Sequence, residues 1–174
     1  MSAATASPRT DVAARVRLLV LDVDGVLTDG RLYYGARGEA LKVFHVRDGL
    51  GLKLLAAAGV TVAIISGRRS SMTGRRCREL GVRHLLQGVE DKLAAFHRLC
   101  ERLGVSPSVC ACVGDDLPDV PLMREVGLSF AVADAHPQAC SAAHVITRLP
   151  GGKGAVREIC DYLLEARRNA AAVK

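Results

Sequence analysis

Two aspartates separated by a single residue follow a short apolar run near the start of the chain. The run Leu18–Leu21 predicts a buried strand, and Asp22 and Asp24 stand directly after it, ahead of a glycine. Because unpaired buried carboxylates are very costly, the two aspartates belong at the strand end, facing a cation or a substrate. One carboxylate can attack as a nucleophile while the other gives and takes a proton, and a divalent cation can screen both.

Three other polar residues come after apolar runs of the same kind. Ser66, Lys92 and Asp115 each follow a run that predicts a strand. In an open parallel sheet, ligands bind beyond the carboxyl ends of the strands. We therefore expect these side chains to meet the two aspartates at one edge of the sheet. There, Ser66 and Lys92 would contact a phosphoryl group, and Asp115 would help to hold Mg²⁺.

Short apolar runs alternate with amphipathic stretches along most of the chain. This alternation predicts an α/β fold, a Rossmann-like three-layer sandwich with a central, mainly parallel sheet and no large cap domain. The predicted strands are 18–21, 59–65, 82–86, 109–113 and 128–132, with an edge strand at 145–146. The predicted helices are 49–58, 69–80, 91–103, 117–126 and 155–168.

Two segments depart from the alternation. Residues 31–44 contain two strand-like stretches around a turn with two glycines, which predicts a projecting β-hairpin. Residues 1–14 are rich in Ala, Ser and Thr and lack the apolar centre of a secretory signal, so we expect a disordered extension. The remaining residues, 15–174, are expected to form a single domain.

The composition limits the class of partner. The chain has 174 residues and a formal net charge of +6, which favours an anionic ligand. Aromatic residues make up only 3%, which argues against nucleic acid, because base stacking needs aromatic side chains. No run approaches the roughly 20 apolar residues of a membrane span. A small phosphorylated or carboxylated molecule therefore fits the charge best. The six cysteines lack the spacing of a zinc site and are typical of a cytoplasmic protein with reduced thiols.

Four motifs in this order resemble those of the haloacid dehalogenase-like phosphatases. The Asp-x-Asp-Gly motif corresponds to residues 22–25, and the motif that ends in Ser or Thr corresponds to Ser66. Lys92 corresponds to the family's lysine, and residues 114–119 to its Gly-Asp-Asp-x-x-x-Asp type motif. The resemblance implies that Asp22 is the nucleophile and that Asp24 is the acid for the leaving group and then the base for water.

Within that superfamily, the sequence resembles the 3-deoxy-D-manno-octulosonate 8-phosphate phosphatases across residues 17–168. The resemblance implies Mg²⁺-dependent hydrolysis of this sugar-acid phosphate through an aspartyl-phosphate, in lipopolysaccharide biosynthesis. It also implies a homotetramer in which the hairpins associate and a neighbour covers each active site. The stretches that carry it are 22–30, 46–49, 66–68, 113–119, 132–137 and 151–158.

This resemblance implies a full set of site residues. The implied catalytic residues are Asp22, Asp24, Ser66 and Lys92. The implied substrate-binding residues are Asp24, His45, Val46, Arg47, Asp48, Gly49, Lys53, Arg68, Arg76 and Lys92. The implied Mg²⁺ ligands are Asp22, Asp115 and, through its main-chain carbonyl, Asp24.

Three positions differ from the family pattern. Lys53 and Lys153 stand where relatives carry Arg, and His45 stands where they carry Asn. Lysine keeps the charge but loses the planar fork that binds a carboxylate through two hydrogen bonds. The reaction is unaffected, but a phosphatase for a related nonulosonate 9-phosphate is an alternative. A non-catalytic assembly module of sugar-nucleotide synthesis is a second alternative, against which the intact motifs argue.

Overall fold

The apolar runs form a six-stranded parallel sheet in the computed structural model, which describes residues 8–172. The strands of the sheet are β1 (Leu18–Leu21), β4 (Thr61–Ser66), β5 (His84–Gln87), β6 (Cys110–Gly114), β7 (Leu128–Ala131) and β8 (Val145–Ile146). Their spatial order is β5-β4-β1-β6-β7-β8. The predicted hairpin is also present, as antiparallel strands β2 (Tyr33–Gly35) and β3 (Gly38–Leu41).

Helices cover both faces of the sheet, which confirms the three-layer α/β prediction. Two short 3₁₀ turns, Pro107–Val109 and Leu117–Asp119, precede β6 and α5. None of the helices in the described range is long and apolar enough to cross a membrane. The helices are α1 (Pro8–Ala14), α2 (Val46–Ala57), α3 (Ser71–Leu80), α4 (Lys92–Leu103), α5 (Val120–Glu125), α6 (Pro137–Ala142) and α7 (Ala155–Ala172).

Successive residues of β1 point to opposite faces of the sheet and enter two separate cores. Leu19 and Leu21 pack in the core beneath α2 and α7. Leu18 and Val20 pack in the core beneath α4 and α5, which includes Phe96. A strand buried on both faces needs apolar residues at every position, which is why β1 shows no polar alternation.

The parallel register aligns the strand ends that carry the polar residues. Leu21 pairs with Ile64 of β4 and with Val113 of β6. β1, β4 and β6 therefore end within two residues of one another, at the same edge of the sheet. The Asp22 amide continues the ladder by donating to the Val113 carbonyl at 3.2 Å.

The expectation of a disordered extension through Ala14 is wrong for residues 8–14, which form α1. Ala13 is fully buried, and α1 packs against α7. Arg167 of α7 donates to the carbonyls of Ala14 and Val16, at 3.4 and 3.0 Å. A short alanine-rich helix has little stability alone and depends on this packing, which composition does not reveal. Residues 1–7 lie outside the described range.

The helix α6 is a second element that the sequence patterns did not predict. It spans only six residues and begins with Pro137 after an N-cap at His136. The His136 amide donates to the Asp115 carbonyl at 2.7 Å, so α6 is tied to the loop after β6. A helix this short shows too few turns for its period to be recognised.

Candidate active site

Four elements bring polar groups to one open cleft at the carboxyl edge of the sheet. Asp22 follows β1, Ser66 ends β4, Asp115 follows β6, and Lys92 begins α4. The predicted meeting of these side chains is therefore observed. The cleft is lined by Asp22, Asp24, Ser66, Gly67, Arg68, Val89, Glu90, Lys92, Asp115, Asp116, Pro118 and Asp119.

The buried ammonium of Lys92 lies between two carboxylates. Its Nζ is 3.0 Å from Asp22 Oδ1 and 2.7 Å from Asp119 Oδ1. Burial alone would lower the pKa of Lys92, but the two carboxylates outweigh it, so its pKa is raised. Lys92 therefore stays charged, and it fixes the orientation of the Asp22 carboxylate.

Asp22, Asp115 and Asp119 form a compact carboxylate cluster, with one oxygen from each within 4.8 Å of the others. Asp119 is 4% exposed, and its Oδ2 accepts the amides of Asp115 and Asp116 at 3.1 and 3.3 Å. Oxygen ligands of this kind suit a hard divalent cation. The donor set thus fits Mg²⁺, with Asp119 in addition to the expected Asp22 and Asp115.

The shifted pKa values show that one ammonium does not neutralise this cluster. Burial and then repulsion by Asp22 and Asp119 raise the pKa of Asp115 to about 8. Burial raises the pKa of Asp22 to about 6, although Lys92 opposes the shift. Carboxylates with raised pKa values gain the most from an additional positive charge. The electrostatics therefore agree with the oxygen donors in favouring a divalent cation.

Asp119 was missed as a site residue although it belongs to the recognised 114–119 motif. An aspartate at this position also suits the N-terminus of a helix, where the helix dipole favours negative charge. The 3₁₀ turn Leu117–Asp119 instead brings its carboxylate back beneath Asp115 and Lys92. The signal was in the motif, but spacing alone does not show which way a turn directs a side chain.

The Asp24 carboxylate points away from the cluster, toward the hairpin. It forms an ion pair with Lys42, which lies just after β3, and its Oδ2 is 3.7 Å from Arg68 Nε. Sequence reasoning did not single out Lys42, since a lysine next to a strand is usually solvent-exposed. Its burial arises only because the folded hairpin returns to the strand ends.

Glycines bring the loop after β1 into close contact with its surroundings. A Cβ at Gly25 would overlap the Asp115 carboxylate, and one at Gly151 would overlap the Gly25 carbonyl. The Gly151 amide donates to Asp134 Oδ1, and the Gly152 amide to the Val26 carbonyl, both at 2.9 Å. The segment 151–152 therefore packs against residues 25–29, which directly follow the two aspartates.

Several expected substrate-binding residues do not line this cleft within one chain. Asp48 is 1% exposed, and its Oδ1 accepts the Arg157 amide at 2.8 Å, so it ties α2 to α7. Arg47 lines a separate cavity beside β8 and α7.

The other expected residues on and near α2 and α3 also lie away from the cleft. A small pocket between α2 and α3 is lined by His45, Gly49 and Arg76. Val46 and Lys53 are exposed on α2. Of the expected substrate set, Asp24, Arg68 and Lys92 are the members that reach the cleft.

The carboxylate cluster predicts a stability that depends on both pH and Mg²⁺. Because Asp22 and Asp115 keep their protons to higher pH when folded, the metal-free protein should lose stability as pH rises from about 4 to about 8. Mg²⁺ should raise the melting temperature more at about pH 8 than at about pH 5.5, where it must displace protons. Asp115→Asn should weaken both effects in thermal melts. An equal Mg²⁺ effect at the two pH values would contradict this account.

The glycine contact predicts that Gly151→Ala impairs turnover. The added methyl group would push on the Gly25 carbonyl and move the loop that carries Asp22, so kcat should fall roughly 100-fold while the protein stays folded. The control is Gly74→Ala, whose Cβ would meet nothing closer than 3.7 Å. Gly74→Ala should raise the free energy of unfolding by about 0.5–1 kcal/mol, because glycine destabilises a helix, and it should leave kcat unchanged. Equal kcat values for both variants would rule out the supporting role.

Comparison with known proteins agrees with this geometry. The profile of the haloacid dehalogenase-like hydrolases matches residues 85–159. The 3-deoxy-D-manno-octulosonate 8-phosphate phosphatase of Escherichia coli K12 is 53% identical over 155 residues, which cover 89% of this chain and 82% of the relative.

Solved structures of related proteins have the same fold as this chain. A 3-deoxy-D-manno-octulosonate 8-phosphate phosphatase from Yersinia pestis superposes with a TM-score of 0.90 at 50% identity, over 93% of this chain and 88% of the other. One from Moraxella catarrhalis, in complex with magnesium, phosphate and a KDO molecule, has a TM-score of 0.90 at 43% identity, over 94% of each chain. The resemblance stated from the motifs is confirmed, and the chain belongs to the haloacid dehalogenase-like hydrolases, in the 3-deoxy-D-manno-octulosonate 8-phosphate phosphatase family.

Proposed function

We propose that this chain is a Mg²⁺-dependent phosphomonoesterase that hydrolyses 3-deoxy-D-manno-octulosonate 8-phosphate to the free sugar acid and phosphate. The observation that carries the proposal is Asp22, held by Lys92 beside Asp115 and Asp119 at the open edge of the sheet. The 53% identity to a phosphatase of that name supports the substrate. We place the reaction in the cytoplasm and in lipopolysaccharide biosynthesis, as the family resemblance implies, with neither nucleic acid nor membrane as a partner.

In the first step, an oxygen of Asp22 attacks the phosphorus, and the bond between phosphorus and the sugar oxygen breaks. Lys92 contacts Asp22 Oδ1, so it can orient the nucleophile and neutralise a phosphoryl oxygen. Ser66 ends β4 in the same cleft, where its hydroxyl can donate to the phosphoryl group. When bound by Asp22, Asp115, Asp119 and the Asp24 carbonyl, Mg²⁺ supplies positive charge for the phosphoryl oxygens.

Asp24 moves the protons in both steps. It gives a proton to the sugar oxygen as that oxygen leaves, which avoids release of an alkoxide. In the second step, it takes a proton from a water molecule that attacks the phosphorus of the aspartyl-phosphate. This releases phosphate and restores the Asp22 carboxylate, so the protons balance over one turnover.

Arg68 is the side chain in the cleft best placed to recognise the acid group of the substrate. Its side chain is 42% exposed, and its guanidinium lies beside Asp24, where the leaving sugar must sit. The remaining expected contacts, from His45 to Lys53 and at Arg76, lie on α2 and α3. We propose that a neighbouring chain brings such residues to the cleft.

An apolar surface on the hairpin and α2 supports a homotetramer with shared active sites. The exposed fractions are 65% for Tyr34, 51% for Leu41, 51% for Val43, 77% for Val46 and 50% for Leu50. Exposed apolar side chains that are this close together in the chain support an interaction surface. The cleft has no cap within the described residues, so association would also exclude water from the reaction.

We propose that one domain, including α1, carries the whole function.

The reaction and its substrate can be tested together by phosphate release from a panel of sugar phosphates. Mg²⁺-dependent preference for octulosonate 8-phosphate is expected over a nonulosonate 9-phosphate. Asp22→Asn should lower kcat by about a thousandfold or more, since it removes the nucleophile. Asp161→Asn, the same change on the exposed face of α7, should leave kcat unchanged. Preference for the nonulosonate 9-phosphate would mean that this compound is the substrate. If the folded protein releases no phosphate from any compound, the assembly-module alternative is favoured.

The assembly proposal predicts that the pair of changes Leu41→Asp and Val43→Asp yields monomers. Both side chains are half exposed, so the loss would come from association rather than from the core. Analytical ultracentrifugation should show a tetramer for the unmodified chain and for the control Ile146→Asp, which is equally exposed on β8. Monomers should have low activity, because shared contacts are lost. A fully active tetramer would show that the hairpin is not the interface.

A further inference from the structure

Four charged side chains connect the hairpin to the candidate active site. We call Asp24, Glu39, Lys42 and Arg68 the bridging cluster. Asp24 lies after β1 and Arg68 after β4, whereas Glu39 belongs to β3 and Lys42 follows it. Two cations and two anions make the bridging cluster formally neutral. The pairs Lys42–Asp24 and Arg68–Glu39 join the hairpin to the strand ends. Lys42–Glu39 lies within the hairpin, and Arg68–Asp24 joins the two strand ends.

Lys42 is the buried member of the bridging cluster. Only 2% of its side chain is exposed, and its ammonium contacts Asp24 Oδ1 and lies 3.2 Å from Glu39 Oε1. Burying an ammonium is costly unless carboxylates compensate for the lost water. Asp24 and Glu39 therefore fix the place of the Lys42 ammonium, and the ammonium in turn fixes Asp24 Oδ1.

The second oxygen of Asp24 is held less tightly. Its Oδ2 is 3.7 Å from Arg68 Nε, and the Arg68 side chain is 42% exposed. Arg68 also approaches Glu39 Oε1 at 3.8 Å and donates to the Tyr34 hydroxyl at 3.4 Å. The Asp24 carboxylate thus has one oxygen fixed by Lys42 and one at the cleft, beside the partly exposed guanidinium of Arg68.

We propose that Lys42 is a positioning residue for Asp24, which it orients so that Oδ2 meets the oxygen of the leaving sugar. The inference rests on the proposed function, in which Asp24 is the proton donor. It makes catalysis depend on the hairpin, because a displaced β3 would withdraw the ammonium from Asp24. Assembly and chemistry would then be linked through one ion pair.

The dependence on the leaving group separates this role from a general effect on the site. An aryl phosphate such as 4-nitrophenyl phosphate releases a stable phenolate and needs little proton donation, whereas a sugar phosphate needs a proton. Lys42→Met should lower kcat/KM for octulosonate 8-phosphate roughly 10- to 100-fold, but for 4-nitrophenyl phosphate less than about threefold. The ratio kcat/KM reports phosphoenzyme formation alone, so the later hydrolysis does not enter. Equal losses on both substrates would overturn the proposal.

A matched control removes a positive charge elsewhere on the hairpin. Arg37 lies in the exposed turn between β2 and β3 and has no ion pair among the described residues. Arg37→Met should leave both kcat/KM values unchanged. If Arg37→Met reproduced the selective loss, the effect would come from net charge and not from the contact with Asp24.

A double-mutant cycle separates positioning of Asp24 from direct contact between Lys42 and the sugar. In the Asp24→Asn background, Lys42→Met should lower kcat/KM for octulosonate 8-phosphate less than about twofold, because the group that it positions is gone. Independent, multiplicative losses would mean that Lys42 acts on the substrate itself and would overturn the proposal.

Controls keep this test distinct from a failure of the proposed function. If the unmodified chain does not hydrolyse octulosonate 8-phosphate, the substrate is wrong, and the same cycle is run with the alkyl phosphate that it does hydrolyse. Retained activity on 4-nitrophenyl phosphate shows that Lys42→Met is folded. If that variant unfolds, Lys42→Gln, which removes the charge but keeps a hydrogen-bond donor, replaces it in the same comparison.

Discussion

Three carboxylates, one buried and two partly buried, meet a single ammonium at the edge of the sheet, and the rest of the site depends on this charge imbalance. Lys92 contacts Asp22 and Asp119, while the pKa of Asp115 is raised to about 8 by burial and by its acidic neighbours. Repulsion of this kind destabilises a fold unless something else holds the acids in place. Packing on both faces of the sheet provides that support, and a bound divalent cation would relieve the repulsion. The unfavourable arrangement is thus what creates a place for Mg²⁺ and phosphate.

The fold holds the carboxylates together by backbone geometry. Leu21 is in register with Ile64 and Val113, so β1, β4 and β6 end within two residues of one another. Glycine at position 25 then lets the Asp115 carboxylate approach the loop after β1, and the segment 151–152 supports that loop from the other side. The hairpin contributes Lys42, which forms an ion pair with Asp24. Loop, hairpin and C-terminal segment therefore act on the same pair of aspartates from different directions.

The sequence predicted the parts of this structure that strong local patterns dictate. The parallel sheet, the hairpin and the meeting of Asp22, Ser66, Lys92 and Asp115 followed from apolar runs and from the rule that ligands bind at strand ends. Among the features that did not follow, three have different physical reasons. Helix α1 forms because it packs on α7, a contact between distant parts of the chain. Asp119 reaches the cluster through a tight turn, and Lys42 is buried by the return of the hairpin, neither of which periodicity records.

The central claim is that Asp22 is the group on which phosphate is transferred, and trapping the phosphoenzyme tests it most directly. Substrate labelled with ³²P would be mixed with the enzyme and Mg²⁺, quenched in acid within milliseconds, and the labelled peptide mapped. The account predicts a transient acid-stable label on Asp22 that appears and decays at rates compatible with turnover. Label on any other residue, or turnover with no labelled enzyme at any time point, would contradict it.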